Sequence, residues 1–311
     1  MMWASRRSGF ALIAALWLVV ALTAIALHVA IRSRAAALSA ANIAEGLRAQ
    51  AAASSGLEHA RARLQRRLTE STAASAGDAW RDLSRVVQDT IDLSEGVHYA
   101  VELRDPSSRL HLNRASEEEL RRFFGAFRID AGEADRIAQA TADWRDSDDF
   151  RRARGAEREE YLEDGSISLP ANAPFSDIAQ LQHVRGVTEE IMRLVEPHLT
   201  LSGSGQVNLN SAPREVLLSL PGMGEEAVRL LERRGGQPIR SLNEVVDRLS
   251  PGARIPLQEA MPALQRRVDF ETREVEAVAI GWLDGSPVRV RAHGLFARGD
   301  HHVFFVQRSV Q

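Results

Sequence analysis

The chain has no cysteine and no lysine. The first absence removes disulfides, thiolate nucleophiles and every cysteine-based metal site. The second leaves all 39 basic side chains as arginine, a matter of composition rather than mechanism. There is no excess of one charge either. The formal net charge is −3, so nothing global points to nucleic acid or an anionic surface. Nucleophile elbow, Walker loop, HExxH and Rossmann fingerprints are all missing, and no catalytic constellation stands out. His301 and His302 are adjacent in a strand-like stretch, so their side chains point to opposite faces and do not converge on one ion. What remains is ordinary: 311 residues, 44% apolar and 26% charged. That is enough for about two globular domains, and it excludes a wholly disordered chain and a multi-span membrane protein.

One long apolar run is present. Phe10 to Ile31 is uncharged, with His28 its only strongly polar interruption. As a helix it reaches about 33 Å, enough to cross a hydrocarbon core of about 30 Å. Arg6 and Arg7 precede it, and Arg32 and Arg34 follow, so flanking charge alone does not orient it. The short leader leaves a single span with the bulk of the chain outside the cytoplasm as the simplest topology. Three origins compete: a secretory signal cut near Ala35–Ala37, a twin-arginine signal at Ser5-Arg6-Arg7, and a prepilin-type leader ending Arg6-Arg7-Ser8-Gly9 and cut before Phe10. A Gly9-Phe10 pair opening an uninterrupted apolar helix favours the third.

The helical pattern continues past the span. Ile43, Leu47, Ala51, Ser54, Leu57, Ala60, Leu64 and Leu68 recur every three or four residues, which is one helix face. Gly46 and Gly56 each cost about 1 kcal/mol in a helix and permit a kink. Gly96–Leu103 and Leu110–Leu112 then read as short strands around the turn Asp105-Pro106-Ser107. Ser116 and Glu119 form a predicted capping box. Leu120, Phe123, Phe124 and Phe127 follow at helical spacing, and Ile137 to Trp144 is helical as well.

A faint internal repeat follows. Leu112-Asn113-x-Ala115-x-x-Glu118-x-Leu120 matches Leu209-Asn210-x-Ala212-x-x-Glu215-x-Leu217. The second copy runs on through Leu220-Pro221-Gly222-Met223-Gly224, a helix-hairpin-helix pattern in which the glycines allow the tight turn. Leu181 to Glu190 is a degenerate relative. In DNA-binding versions the hairpin N–H groups meet a phosphate. Here Glu225 and Glu226 directly follow one hairpin, and Glu189 and Glu190 the other. They would repel a phosphate, so a helical scaffold is the expectation and no nucleic acid partner is.

Asp143, Asp146, Asp148 and Asp149, followed by Glu157, form an acidic stretch. Closely spaced carboxylates offer the hard oxygen ligands that calcium takes, although the spacing is not an EF-hand. Interleaved arginines leave a self-paired, solvated loop as the alternative. At the carboxyl end, Glu274–Ile280, Val288–Leu295 and His302–Gln307 read as an antiparallel meander with turns at Asp284-Gly285 and Gly299-Asp300. The expected fold class is α+β. A long N-terminal transmembrane and amphipathic helix packs on an antiparallel sheet, and a large α-helical domain with helix-hairpin-helix-like units is inserted between early and late strands.

Taken together these features resemble the K-type minor pseudopilins of the type II secretion system. The likeness rests on the leader and Phe10, on Asp143-Trp144-x-Asp146-x-Asp148-Asp149 with Gly155-Ala156-Glu157 and Tyr161, on Asn208-Leu209-Asn210-x-Ala212-Pro213, and on the closing strands. It implies a leader at 1–9, a membrane part of the first helix at 10–31, and an amphipathic helix with the first strands at 32–113. A helical insertion at 114–267 and the last strands at 268–311 complete the pseudopilin fold. It also implies cleavage by prepilin peptidase between Gly9 and Phe10 and methylation of Phe10. The mature protein would then sit in the bacterial inner membrane as a single-pass protein, mostly periplasmic, and later at the pseudopilus tip. Its implied partners there are the I- and J-type minor pseudopilins and the major pseudopilin, and its implied role is priming assembly for export across the outer membrane. Major pseudopilins carry a glutamate five residues into the mature chain, where this chain has Ala14. A carboxylate in the bilayer is expensive unless paired, and a tip subunit has no neighbour above to pair with. No cofactor is required. Calcium at Asp143, Asp146, Asp148, Asp149 and Glu157 is carried over from family members that bind it, and the arginine-rich stretch Phe150–Arg154 is the departure from their pattern. The competing expectation is a membrane-anchored DNA receptor of the competence type, in which helix-hairpin-helix units also occur.

Overall fold

The computed structural model describes residues 6–70, 80, 83, 90–94, 96–233 and 237–310. The first five residues of the expected leader lie outside the described residues. The first helix, α1 (Arg6–Glu70), is continuous for 65 residues. Two strands follow, β1 (Ile91–Ser94) and β2 (Val97–Arg104). The chain then enters a helical domain: β3 (Leu110–His111), α2 (Glu117–Ala126), α3 (Ala131–Arg145), α4 (Arg158–Glu163), α5 (Glu189–Val195), β4 (Leu199–Thr200), β5 (Val207–Asn208), α6 (Arg214–Ser219), α7 (Glu225–Glu232), α8 (Leu242–Asp247), α9 (Pro251–Glu259), α10 (Met261–Arg267) and β6 (Val268–Asp269). It returns to the sheet through β7 (Glu274–Leu283), β8 (Arg289–Arg298) and β9 (Val303–Val310).

The main sheet has the order β1-β2-β7-β8-β9, every pair antiparallel. Residues alternate strictly along β7. Val275, Ala277, Ala279, Gly281 and Leu283 are buried against α1, and the residues between them face outward, as a sheet covered on one side requires. The matching face of α1 is small: Ala49, Ala52, Ala53, Leu57 and Ala60, then Leu64 and Leu68. Small residues let the helix backbone approach the strand. A Cβ added at Gly56 would lie 3.0 Å from Ala279, Tyr99 and Val101 side-chain atoms. Ile43, Leu47 and Ala51, expected on this face, are exposed. The sheet ends beside Glu45, whose carboxylate accepts a 2.7 Å bond from Ser286 Oγ in the β7–β8 turn, so Ile43 has nothing to pack on. Leu47 and Ala51 point off the alanine seam.

Leu110–Leu112, expected among the first strands of the sheet domain, is a correction of the same kind. β3 pairs in parallel with β4, inside the helical domain. That domain consists of two related units. The first opens with β3 and closes with β4; the second opens with β5 and closes with β6, also in parallel. In each, the residue after the opening strand donates its N–H to the closing strand, Leu112 to Thr200 and Leu209 to Asp269. In each, the next asparagine clasps one distant residue through both its backbone groups. Asn113 holds Phe175 and Asn210 holds Ile239, with all four bonds at 2.8 Å. A helix-turn-helix follows in both, α2–α3 turning at Arg128 (φ 64°) and α6–α7 at Gly222 (φ 70°). The faint sequence repeat is thus a repeated structural unit. The predicted capping box is formed: Ser116 Oγ accepts from Glu119 N–H, and Glu119 accepts from Ser116 N–H.

The sheet with α1 and the helical domain have separate apolar cores. The buried carboxylate of Asp105 joins them where the chain leaves β2. It accepts from Ser107 N–H (2.9 Å), Asn208 Nδ2 (3.0 Å), Ser211 Oγ (2.8 Å) and Thr272 Oγ1 (2.7 Å).

At the far end of the sheet His98 staples β1 to the β7–β8 turn. Its Nδ1 lies 2.5 Å from Asp92 Oδ1, its Nε2 lies 2.8 Å from Asp284 Oδ1, and its ring stacks on Trp282. The bond to Asp92, aided by Asp284 and opposed by desolvation, raises the imidazole above its usual value. A raised pKa stabilises below the unfolded value of about 6.5 and loses that contribution as pH rises through the folded one. The stability advantage of the wild type over His98→Gln is therefore expected to shrink above neutral pH, as read by thermal unfolding across a pH series.

Candidate functional site

Between the helix-turn-helix and the clasped residue, the second unit has only residues 233–238. The first has residues 146–174. This excursion carries the acidic stretch. Its floor is aromatic and buried: Trp144 packs edge-on to Tyr161 and stacks with Phe175, the residue held by Asn113. Tyr161 Oη accepts from Arg185 N–H at 2.9 Å, which ties the excursion to the turn before α5.

Asp143 lies in the last turn of α3, not in the loop, and is fully buried. Gly155 passes directly over it. Any Cβ at that position would collide with the Asp143 carboxylate, so the Gly155-Ala156-Glu157 element is sterically specified. Arg152 Nη1 lies 2.5 Å from Asp143 Oδ1 and 2.5 Å from Asp146 Oδ2, and the Arg152 N–H also faces Asp143. Burial pushes the Asp143 carboxyl up, against the opposing pull of Arg152.

Opposite Arg152 the cluster is open. Asp146, Asp148 and Glu157 each present an oxygen within 4.8 Å of the others. Glu157 is 4% exposed, and neither of its carboxylate oxygens has a hydrogen-bond partner among the described residues, nor does Asp146 Oδ1. Burial first, then the charges of Asp143, Asp146, Asp149 and Asp148, raise Glu157 to about 7. An unpartnered buried carboxylate costs several kcal/mol unless a cation or proton answers it. Asp149 turns away, its Oδ1 accepting from Asn172 Nδ2 at 2.8 Å. Of the five residues expected from the sequence, the structure brings together Asp146, Asp148 and Glu157, gives Asp143 to Arg152, and places Asp149 outside. Arg152 and Asn172 are the members that sequence reasoning did not assign. Only the arginine richness of Phe150–Arg154 hinted at the first.

The helix-hairpin-helix turn is covered on one side, at Gly222, while Gly224 is exposed. A Cβ at Gly222 would lie 2.5 Å from the Pro256 carbonyl oxygen and 2.6 Å from Ala260 Cβ, so α9 covers the turn. Arg122 Nη1 donates to Leu220 O. At the start of α7, Glu225 pairs with Arg214, and Glu226 accepts two 2.7 Å bonds from Ser250. The hairpin is a packing device, and a phosphate would meet carboxylates there. His301 and His302, for their part, are exposed surface residues.

Among the described residues, one helix is long and apolar enough to cross a membrane. Phe10 is 77% exposed and Trp17 is 69% exposed, and Leu12, Leu16, Leu22, Ile25 and Ile31 are all more than half exposed.

Residues 100–204 match the family model described as Type II secretion system (T2SS), protein K. No curated protein matches the chain. Among solved structures, the chain is similar to GspK of the GspK-GspI-GspJ complex from the enterotoxigenic Escherichia coli type 2 secretion system. The identity is 18% and the TM-score 0.66, covering 88% of this chain and 99% of that one. The matched segment runs from β2 through the first helical unit and contains the whole acidic cluster. The resemblance drawn from the residues is thereby met on both counts: residues 100–204 match the type II secretion protein K model, and the chain as a whole has the pseudopilin fold of the similar GspK.

Proposed function

We propose that the protein is a K-type minor pseudopilin at the tip of the type II secretion pseudopilus. There it assembles with the I- and J-type minor pseudopilins and primes the filament of major pseudopilin that drives export across the outer membrane. Its role is structural rather than enzymatic. The observation that carries this reading is α1, a single helix whose first half is bare and apolar and which packs against the sheet only from Ala49 onward. Exposing that half to water would cost about 1.5–3 kcal/mol for each large side chain. Lipid, then neighbouring helices in a filament, supply the missing contacts. Ala14 supports the tip position, because no intramembrane carboxylate is left without an amine above it. The solved complex of the similar GspK with GspI and GspJ supports the choice of partners. The inner membrane holds the helix, with the sheet and helical domains in the periplasm.

The acidic cluster is proposed to hold calcium. The residues fit: all donors are hard oxygens, and Glu157 is buried, unpartnered and aimed at Asp146 and Asp148, as calcium coordination demands. The ion would supply the positive charge that lets Glu157 ionise, locking the excursion onto α3. A competence-type DNA receptor is not favoured, since Glu225 and Glu226 stand at the hairpin that would meet phosphate.

Processing tests the pseudopilin reading. Co-expressed with a prepilin peptidase and extracted from membranes, the protein is expected to begin at a methylated Phe10, as read by intact mass and terminal sequencing. An uncut chain, or a cut near Ala37, would sink it.

A further inference from the structure

We infer that Arg152 is a built-in cation that permanently fills one half of the acidic cluster, so that the chain takes a single divalent ion in the other half. This rests on the cation reading above and concerns how many ions the cluster admits. The cluster has two positions that share Asp146. In the first, the Arg152 guanidinium bridges Asp143 Oδ1 and Asp146 Oδ2 at 2.5 Å each, and its Nε reaches Glu117 Oε2 at 3.2 Å. Asp143 is fully buried, and a buried carboxylate needs a counter-charge held by good hydrogen bonds. Arginine does not deprotonate in proteins, so this counter-charge is always present and cannot be chelated away.

In the second position, Asp146 Oδ1 and both Glu157 oxygens have no partner among the described residues, and Asp148 stands close by. Asp146 therefore gives Oδ2 to Arg152 and keeps Oδ1 buried and without a partner among the described residues. This division leaves the charge one short of balance. Asp143, Asp146, Asp148 and Glu157 carry four negative charges when ionised, and Arg152 with one divalent ion supplies three positive ones. Were Arg152 neutral, the Asp143–Asp146 pair would become an open site of oxygens with a backbone amide beside it. A second divalent ion would then balance the cluster.

Equilibrium dialysis of the full-length, detergent-solubilised chain against radiocalcium, after chelator stripping, counts the ions directly. The wild type is expected to bind one calcium, Arg152→Gln two, and the charge-conserving Arg152→Lys one. Glu157→Gln, with Arg152 in place, is expected to lose the single ion, and this variant decides the matter should Arg152→Gln fail to fold. Two ions on the wild type, one on a folded Arg152→Gln, or an ion retained by Glu157→Gln would each overturn the division. No ion on the wild type but one or more on Arg152→Gln would overturn it while keeping the cation reading. No ion on any variant would remove the cation reading itself.

Discussion

Asp105→Ala is expected to destabilise the protein by about 4 kcal/mol and to loosen the helical domain from the sheet. One oxygen of Asp105 accepts from Asn208, Ser211 and Thr272. Hydrogen bonds to a charged group contribute about 1.5–3 kcal/mol each, and an orphaned buried donor costs about 1–3 kcal/mol. The three losses share one acceptor and do not add fully. They are offset in part by relief of burial, which pushes the Asp105 carboxyl above its usual value despite its four donors. Deletion still loses, because Asn208 and Thr272 are buried and water does not reach them. Asp105→Asn keeps the shape but presents an N–H₂ to at least one donor, so about half the cost is expected. Denaturant unfolding gives the magnitude. Hydrogen exchange should show the first loss of protection around Asn208–Ser211 and Thr272, the residues that bind Asp105, and not in the β7–β8 core.

Gly281→Val is the second large effect, expected at about 3 kcal/mol or more. Gly281 lies on β7 where α1 crosses most closely. An added Cβ would collide with the Ala49 carbonyl oxygen, would lie 2.5 Å from Ala53 N and would lie 3.0 Å from Ala52 Cβ. Overpacking typically costs about 1–3 kcal/mol when side chains can yield. Here the obstacle is helix backbone, which cannot yield without moving α1 off the sheet. Gly46 provides the contrast. It lies in the same helix with nothing within 4 Å of its would-be Cβ. Gly46→Ala is expected to stabilise by about 0.5–1 kcal/mol through helix propensity alone. Thermal unfolding of both variants, side by side, separates close approach from propensity.

This seam also explains what the sequence could and could not show. The helix itself, its length and its apolar first part were legible, because an apolar run followed by a 3.6-residue pattern has few other solutions. The buried face was misplaced at its start. The real contact is made by Ala49, Ala52, Ala53 and Gly56, residues too small to stand out in a hydrophobic pattern. Periodicity also does not say where the partner sheet ends. The antiparallel meander and the insertion between β2 and β7 were legible from alternation and turn residues.

The helical units were half legible. The Leu-Asn-x-Ala repeat was visible, but the purpose of its asparagine was not. A clasp on Phe175 or Ile239 is a contact across 62 or 29 positions, which local patterning cannot register. The α2–α3 turn was missed because Arg128 occupies the left-handed position where glycine is expected. At the acidic cluster the residue types were legible and their directions were not. Asp143 and Asp146 are separated by the end of α3. That helix end aims Asp143 inward at Arg152, while the loop turns Asp149 outward to Asn172.

Under the proposed function this chain works as one member of a minor pseudopilin tip complex. The most direct test is to co-express the full chain with the I- and J-type minor pseudopilins of its own system, extract all three in mild detergent, and follow them through size exclusion after an affinity step on one partner. The account predicts that the three chains elute together in a fixed ratio. A K-type chain that elutes alone, while the other two remain paired, would contradict it.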